Sequence, residues 1–440
     1  MSSVFLIKAL QLILSLAILV VLHELGHFIP AKYFKTKVEK FYLFFDWPYS
    51  LFKKKIGETE YGIGILPLGG YVKIAGMIDE SMDTEHLNKE PQPWEFRSKP
   101  AWQRLIIMLG GVTVNVIVGF AIYMMVAFVW GKNIYTNENL PDGFEVNDVM
   151  KPYGFQDGDK ILKVNNQPLE NVLDISKYLF LRDVSSVTVK HSNGKVEKLN
   201  IPENIGHMMM ESGATNAFTP LLSPIIGKIE PNSLAETLGF QNDDRIVSIN
   251  NTPIVKWQQI SEHINDSITK ELNFKLQRGD DFIEKSGLLE ANQPLGIYVK
   301  LPSINSTKIN FGLNESISEG FNKAYWILSD YIKQFEYVFT PKGITQLGGF
   351  GAIGSIFPAT WDWQRFWEST ALLSLILAFM NVLPIPALDG GHVMFLIYEV
   401  ATGRKPNDKF MEYAQMAGFL FLISLVIFAN GNDLYRYLFG

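Results

Sequence analysis

Val20-Val21-Leu22-His23-Glu24-Leu25-Gly26-His27-Phe28 places an HExxH motif inside an apolar segment. A helix turns by about 100° per residue, so positions i and i+4 share a face. His23 and His27 can therefore present ring nitrogens to one ion, which is half of a tetrahedral zinc site. Glu24 stands beside the first of them, where a carboxylate can take a proton from a water activated by metal. Ionisable side chains within an apolar span are costly unless paired or bound to metal, so all three are functional candidates.

The setting agrees. The chain has 440 residues, 47% of them hydrophobic and 19% charged, with 31 Phe. Its mean hydropathy is +0.09. That mixture suits a membrane protein with a sizeable soluble part. The net charge of −6 is mild and carries no basic tail, so nucleic acid is not an expected partner. There is no Cys, which excludes disulfides and thiolate zinc ligands. Lys8 is the only charged side chain before His23, so the first segment lacks the basic start of a signal peptide. Cleavage there would also discard the motif. The segment reads as a retained transmembrane helix.

Four segments are long enough to span: about Val4–Phe28, Leu105–Trp130, Phe366–Leu388 and Tyr413–Asn430. Lys32, Lys35, Lys37, Lys40 and Lys53 to Lys55 follow the first, and Arg404, Lys405 and Lys409 lie between the last two. The positive-inside rule puts both short connections in the cytoplasm. Both termini and the long stretch from about Gly131 to Arg365 then lie on the far side.

That stretch repeats itself. Gly154-Phe155-Gln156-Asp157-Gly158-Asp159-Lys160-Ile161 matches Gly239-Phe240-Gln241-Asn242-Asp243-Asp244-Arg245-Ile246, an offset of 239 − 154 = 85. At the same offset Asn165-Asn166 meets Asn250-Asn251 and Pro168 meets Pro253. Each copy reads as a turn, a short strand, an Asn-Asn turn and a helix. The pattern resembles a tandem of PDZ domains, which bind extended segments by strand addition. The second copy is the more complete, beginning at Ile226-Gly227-Lys228-Ile229. The first departs further from the PDZ pattern.

Between the first two spans, Gly57 to Ile74 is β-prone, apolar and rich in Gly, with Gly69-Gly70 before Tyr71-Val72-Lys73-Ile74. It reads either as a cytoplasmic hairpin or as irregular backbone at membrane depth, tolerated only against protein or a wet cavity. The expected fold is thus a multipass α-helical membrane protein of about four transmembrane helices. It carries a membrane-associated β-hairpin region and two extracytoplasmic PDZ-like α/β domains.

A second constellation, Asn381-Val382-Leu383-Pro384-Ile385-Pro386-Ala387-Leu388-Asp389-Gly390-Gly391-His392, ends the third span. Counted from the entry of each helix, His23 lies roughly 28 Å deep and Asp389 at most roughly 33 Å deep, at 1.5 Å per residue. Asp389 is a candidate third ligand, with water completing a catalytic zinc pattern. A turn carboxylate ahead of two glycines is the plain alternative. His392 is a rival ligand. Gly390-Gly391 makes a continuous helix through both less expected, so His392 is read as facing away.

HELGH, an intervening PDZ-like pair and LPIPALDGGH together resemble the site-2 protease family of intramembrane metalloproteases, in its bacterial RseP-type branch. GETEYGIGILPLGGYVKIAGM resembles that family's membrane-reentrant β-region, and FRSKPAWQRLIIMLGGVTVN its stretch into the second helix. The resemblance covers almost the whole chain. It implies a Zn2+ cofactor held by His23, His27 and Asp389, Glu24 as catalytic base, and Asn115 and Asn381 near the substrate. With Asn381, Pro384, Pro386 and the Gly69-Gly70 strand are expected to offer backbone partners to an unwound substrate. It also implies the bacterial inner membrane as the location. The chain departs from the pattern at Gly110-Gly111, where the family usually has Gly-Pro, and at Leu347 to Gly351.

The expected divisions are a first helix with HExxH at 1–30 and a cytoplasmic-side loop with the β-region at 31–104. The second helix follows at 105–130, then PDZ-like domains at 145–220 and 221–302 and a connecting segment at 303–365. The third helix with the LDGGH segment takes 366–403 and the fourth helix 413–430. The expected activity is zinc endoproteolysis of transmembrane segments in single-pass membrane proteins within the lipid bilayer. It is regulated intramembrane proteolysis, on anti-sigma factors or signal-peptide remnants, with the PDZ pair gating access. The alternatives are a non-catalytic PDZ scaffold or chaperone, and a membrane-anchored zincin acting on soluble proteins. An intact Glu24 argues against the first and burial of HELGH against the second.

Overall fold

The computed structural model describes residues 3–67, 69–77, 90–264, 269–290, 294–301 and 305–439. They form two compact units. One comprises residues 1–131 and 310–440, the other residues 132–309.

The first unit begins with helix α1, Ser3–Tyr33. It runs past the expected Phe28 and ends at Tyr33, before Lys35 turns the chain with a φ of 56°. Strands β1 (Val38–Leu43), β2 (Phe45–Ile56), β3 (Thr59–Leu66) and β4 (Tyr71–Ile74) form a sheet in the order β2-β3-β1-β4. β1 is parallel to β3 and antiparallel to β4. Helix α2, Ala101–Trp130, follows Pro100 and stops at Gly131, whose φ of 71° no larger residue adopts easily.

After the second unit come helices α3 (Leu313–Phe335), α4 (Trp363–Val382), α5 (Asp389–Thr402) and α6 (Asp408–Phe439), with short helices Pro341–Gln346 and Phe350–Ser355 before α4. Helices α1, α2 and α6 are long and apolar enough to cross a membrane. α6 exceeds the expected Tyr413–Asn430 at both ends. α4 is shorter than the expected third span. It ends at Val382, because Pro384 and Pro386 have no N–H to continue it. The segment expected only to connect, 303–365, holds α3, whose Ser316, Gly320 and Ala324 are buried. A Cβ on Gly320 would come within 2.3 Å of the Met124 backbone, so α3 lies directly on α2.

α1 and α2 cross with almost no side chain between them. A Cβ on Gly26 would lie 2.4 Å from the Gly110 carbonyl oxygen, and one on Gly110 1.9 Å from that of Gly26. Small residues at such crossings let backbones touch, which is how membrane helices gain packing without a hydrophobic drive between them. α2 is held on its other sides by two buried polar links. Ser374 Oγ on α4 donates to the Asn115 carbonyl at 2.7 Å. Arg104 pairs with Glu399 of α5 at 2.5 Å, both largely buried. Removing one partner of such a pair strands the other charge, at a typical cost of about 3–5 kcal/mol.

The second unit contains two hydrophobic cores, one drawn from Leu140 to Phe218 and one from Ile226 to Leu295. The first core starts ahead of the expected 145, and the expected limit at 302 lies outside the described residues. The repeat is structural. Strands Lys160–Val164 and Arg245–Ile249 stand at the offset of 85, each followed by a two-residue strand. Asn165 and Asn166 have φ of 48° and 64°, and Asn250 and Asn251 have 48° and 65°. Two consecutive left-handed residues make the tight turn that suits the twist of paired strands, and Asn tolerates it. Asp159 and Asp244 are fully buried and accept from the N–H of Gln156 and Gln241, each at 2.8 Å. Between the cores, Lys256 Nζ donates to Glu145 at 2.8 Å. The two ends of the unit pair with each other, Lys132 opposite Ile309.

Candidate metal centre

α1 carries His23 and His27 on one face, and the first turn of α5 brings Asp389 to them. His27 Nε2 lies 3.2 Å from His23 Nε2. Asp389 Oδ2 lies 3.3 Å from His23 Nε2 and 3.4 Å from His27 Nε2. A tetrahedron with metal–ligand bonds of about 2.0–2.1 Å has edges of about 3.3–3.4 Å, so three of its corners are already in place. Asp389 Oδ2 is buried with no hydrogen-bond partner, the condition of an atom that an ion would satisfy. These three side chains are the cluster that could hold a metal ion among the described residues.

The supporting contacts favour that use. His27 Nδ1 faces the Ile107 carbonyl at 2.8 Å. A ring that donates from Nδ1 keeps the Nε2 lone pair for the cluster. Asn115, almost fully buried, places its amide 3.2 Å from His23 Nδ1. Asn381 Nδ2 lies 3.4 Å from His23 Nε2. Gly111 is packed behind both rings. A Cβ there would come within 2.4 Å of His27 Nε2 and 2.5 Å of His23 Cε1.

A cavity of about 320 Å³ opens in front of the cluster. His23, Glu24 and His27, strand β4, and Ala387 to Asp389 line it, with Lys40, Asp46, His392 and Gln415. Glu24 thus shares the cavity with the cluster without belonging to it. Lys40 Nζ donates to Asp46 at 3.1 Å and to the Tyr71 hydroxyl at 3.3 Å, which gives the sheet side of the cavity a polar wall.

The other expected residues fall around this cavity rather than in its lining. Gly70 lets the chain pass close to α1, since a Cβ there would meet Val20 Cγ1 at 2.6 Å and Glu24 Cγ at 3.6 Å. Gly69 lies under the Phe45 ring. The Pro386 carbonyl rests against Gly418, and Pro384 belongs to the turn between α4 and α5. Asn115 and Asn381 sit against His23.

One expectation is corrected. Gly390 and Gly391 do not break the chain but lie inside α5, which runs through Asp389 and His392. Both glycines are squeezed by carbonyls, Gly390 by that of Leu383 and Gly391 by that of Ile385, at Cβ distances of 2.2 and 2.6 Å. Their role is close approach, so the helix continues. His392 therefore lines the cavity instead of facing away, with its Nε2 2.9 Å from Gln415 Nε2. Sequence reasoning passed over Gln415, an amide in a membrane-length helix, and Gly111, which it noted only as a departure.

Peptidase family M50 matches the sequence over residues 11–425. The chain belongs to Peptidase family M50. Similar proteins of known name are covered nearly end to end. A Campylobacter jejuni protein named as a zinc metalloprotease is 25% identical over 442 residues, 98% of this chain and 94% of that protein. The regulator of sigma E protease of Haemophilus influenzae is 25% identical over 447 residues, 96% of this chain and 98% of its own length. The regulator of sigma-E protease RseP of Escherichia coli is 24% identical over 458 residues, covering 98% and 99%. As an M50 peptidase the chain is a zinc metalloprotease, and its three apolar helices make it a membrane protein with β regions.

Proposed function

We propose that this M50 peptidase cuts transmembrane segments of single-pass membrane proteins, using a zinc site of His23, His27 and Asp389 with Glu24 as general base. One observation carries the reading. The three ligand atoms, 3.2 to 3.4 Å apart, and Glu24 lie where an apolar helix of 31 residues meets a cavity. Zinc there supplies Lewis-acid polarisation of the scissile carbonyl and lowers the pKa of water. Glu24 takes the proton of the attacking water and returns it to the leaving amine. His27, fixed by the Ile107 carbonyl, keeps its Nε2 lone pair for the ion, and His23 does the same when the Asn115 amide turns its oxygen to Nδ1–H.

A membrane helix hides its carbonyls in its own hydrogen bonds, so substrate must unwind before it is cut. The Gly69-Gly70 approach to β4, Asn381 and the turn of Pro384 and Pro386 border the cavity where an unwound segment would find backbone partners. α4, with 20 residues, is about 30 Å long and serves as the remaining crossing of a four-helix membrane unit. The second unit is a pair of PDZ-like domains on the extracytoplasmic side of a bacterial inner membrane. It screens what approaches, admitting substrates such as anti-sigma factors or signal-peptide remnants once another protease has trimmed them.

The test is a purified, zinc-loaded enzyme in detergent, offered a transmembrane peptide and, separately, an unfolded soluble protein of similar length. Cleavage within the apolar segment, abolished by chelation and restored by zinc, is the expected result. Cleavage of the soluble protein alone would make the enzyme a membrane-anchored zincin.

A further inference from the structure

Ala387 lies two residues before Asp389 and has φ of +76°. Residues with a Cβ rarely hold that left-handed conformation, apart from Asn and Asp. Something must over-determine it. The Ala387 N–H donates to Gln415 Oε1 on α6 at 2.5 Å. The same amide reaches past Asp389 to the other side. Its Nε2 lies 2.9 Å from His392 Nε2, so the nitrogen donates and the ring accepts. Gln415 is 6% exposed. One turn further along α6, Gly418 leaves room for the turn itself. A Cβ there would stand 2.0 Å from the Pro386 carbonyl oxygen. Thus α6 offers a recess at Gly418 and a two-handed amide at Gln415, and both hold the backbone that presents Asp389.

We propose that Gln415 is a positioning residue for the metal site, gripping the chain on both sides of Asp389 from a helix that contributes no ligand. The proposal rests on the reading of Asp389 as a ligand. Without the Gln415 oxygen the Ala387 N–H loses its partner in a half-buried turn, and the left-handed residue relaxes toward ordinary backbone. Asp389 then swings away from the two imidazoles, and zinc binds more weakly although all three ligands remain.

Full-length enzyme in detergent tests this by zinc titration against a competing chelator, with thermal melting of the zinc-free protein alongside. Gln415→Met keeps the length and loses both hydrogen bonds. It should weaken zinc about 10–100-fold, the usual effect of losing a group that supports a ligand. Melting of the zinc-free protein should move little. Ala387→Gly added to Gln415→Met should recover most of the lost affinity, because glycine holds a positive φ without help. A purely structural role for Gln415 predicts no such rescue. Wild-type zinc affinity in Gln415→Met, or weak binding that Ala387→Gly leaves unchanged, overturns the proposal. If Gln415→Met does not fold, Gln415→Glu decides. Its carboxylate still accepts from the Ala387 N–H, so zinc should be retained, and loss of zinc overturns the proposal. Asp389→Ala is titrated in parallel. Tight zinc in that variant sinks the ligand reading itself, whereas its loss beside an unaffected Gln415→Met sinks only the role of Gln415.

Discussion

Asn115 and His23 meet across the α1–α2 crossing, the amide of one 3.2 Å from Nδ1 of the other. In that orientation the Asn115 Oδ1 is buried without a partner. A half-turn of the amide exchanges oxygen and nitrogen at no steric cost. The oxygen then accepts from Nδ1–H and leaves Nε2 free for the ion. We expect Asn115→Ala to weaken zinc about 10–100-fold and Asn115→Asp, which keeps an acceptor, to retain it. Chelator competition measures both. Equal zinc affinity in wild type and Asn115→Ala would remove Asn115 from the site.

Glu24 shares the cavity with the cluster but is not one of the three ligand side chains. Glu24→Gln keeps the shape and cannot take the proton. Turnover should fall to background while zinc stoichiometry stays at that of wild type. A variant that still cuts would end the assignment of Glu24 as base, and one that loses zinc would make it a structural partner of the metal.

Gly111 has no room for a methyl group, with His27 Nε2 at 2.4 Å and His23 Cε1 at 2.5 Å from its Cβ position. Gly111→Ala should cost about 1–3 kcal/mol of stability, as overpacking does. It should also push the rings off the ion and lower zinc affinity. Melting temperature and zinc titration separate the two effects. A stable variant with unchanged zinc affinity would mean that α1 and α2 can part without disturbing the histidines.

How much of this was legible follows from where the information lies. HELGH was readable because its chemistry depends on spacing along a single helix. The Asn-Asn turns were readable because two left-handed residues restrict the sequence locally. α3 was not, since Glu315, Glu319, Lys323 and Lys333 break up its apolar residues, and its buried Gly320 resembles a break until Met124 is seen beside it. Gly390 and Gly391 misled for the same reason, because tight packing and chain flexibility call for the same residue. Gln415 has meaning only beside Ala387, and that contact comes from the fold.

Asp389 and His392 now stand on one helix, so their roles need separating directly. Asp389→Ala should lose zinc and activity together. His392, held near Gln415, should keep most zinc when changed to Ala. Titration of both variants decides it. Tight zinc in Asp389→Ala with loss in His392→Ala would turn the site into a three-histidine one.

The ends of the second unit, Lys132 and Ile309, pair as neighbouring strands, so the unit can be cut out and its neighbours joined by a short linker. Residues 1–131 and 310–440 keep all three candidate ligands and Glu24. If the second unit screens substrate as proposed, the shortened enzyme should bind zinc and cut untrimmed substrate faster than the full chain does. Mass spectrometry of products from full-length and pre-trimmed substrate reads the difference. A zinc-bound protein that cuts neither would show that the second unit takes part in turnover.

Where Gly26, Gly110 and Gly111 bring α1 and α2 into contact, the two imidazoles have a back wall of bare main chain. A chelating inhibitor gains nothing by growing in that direction. Its bulk must extend over the other side, toward the Tyr71–Ile74 strand and the Lys40–Asp46 pair. Compounds that place a polar arm there, rather than the symmetric chelators that strip any zinc enzyme, are the ones this geometry would select.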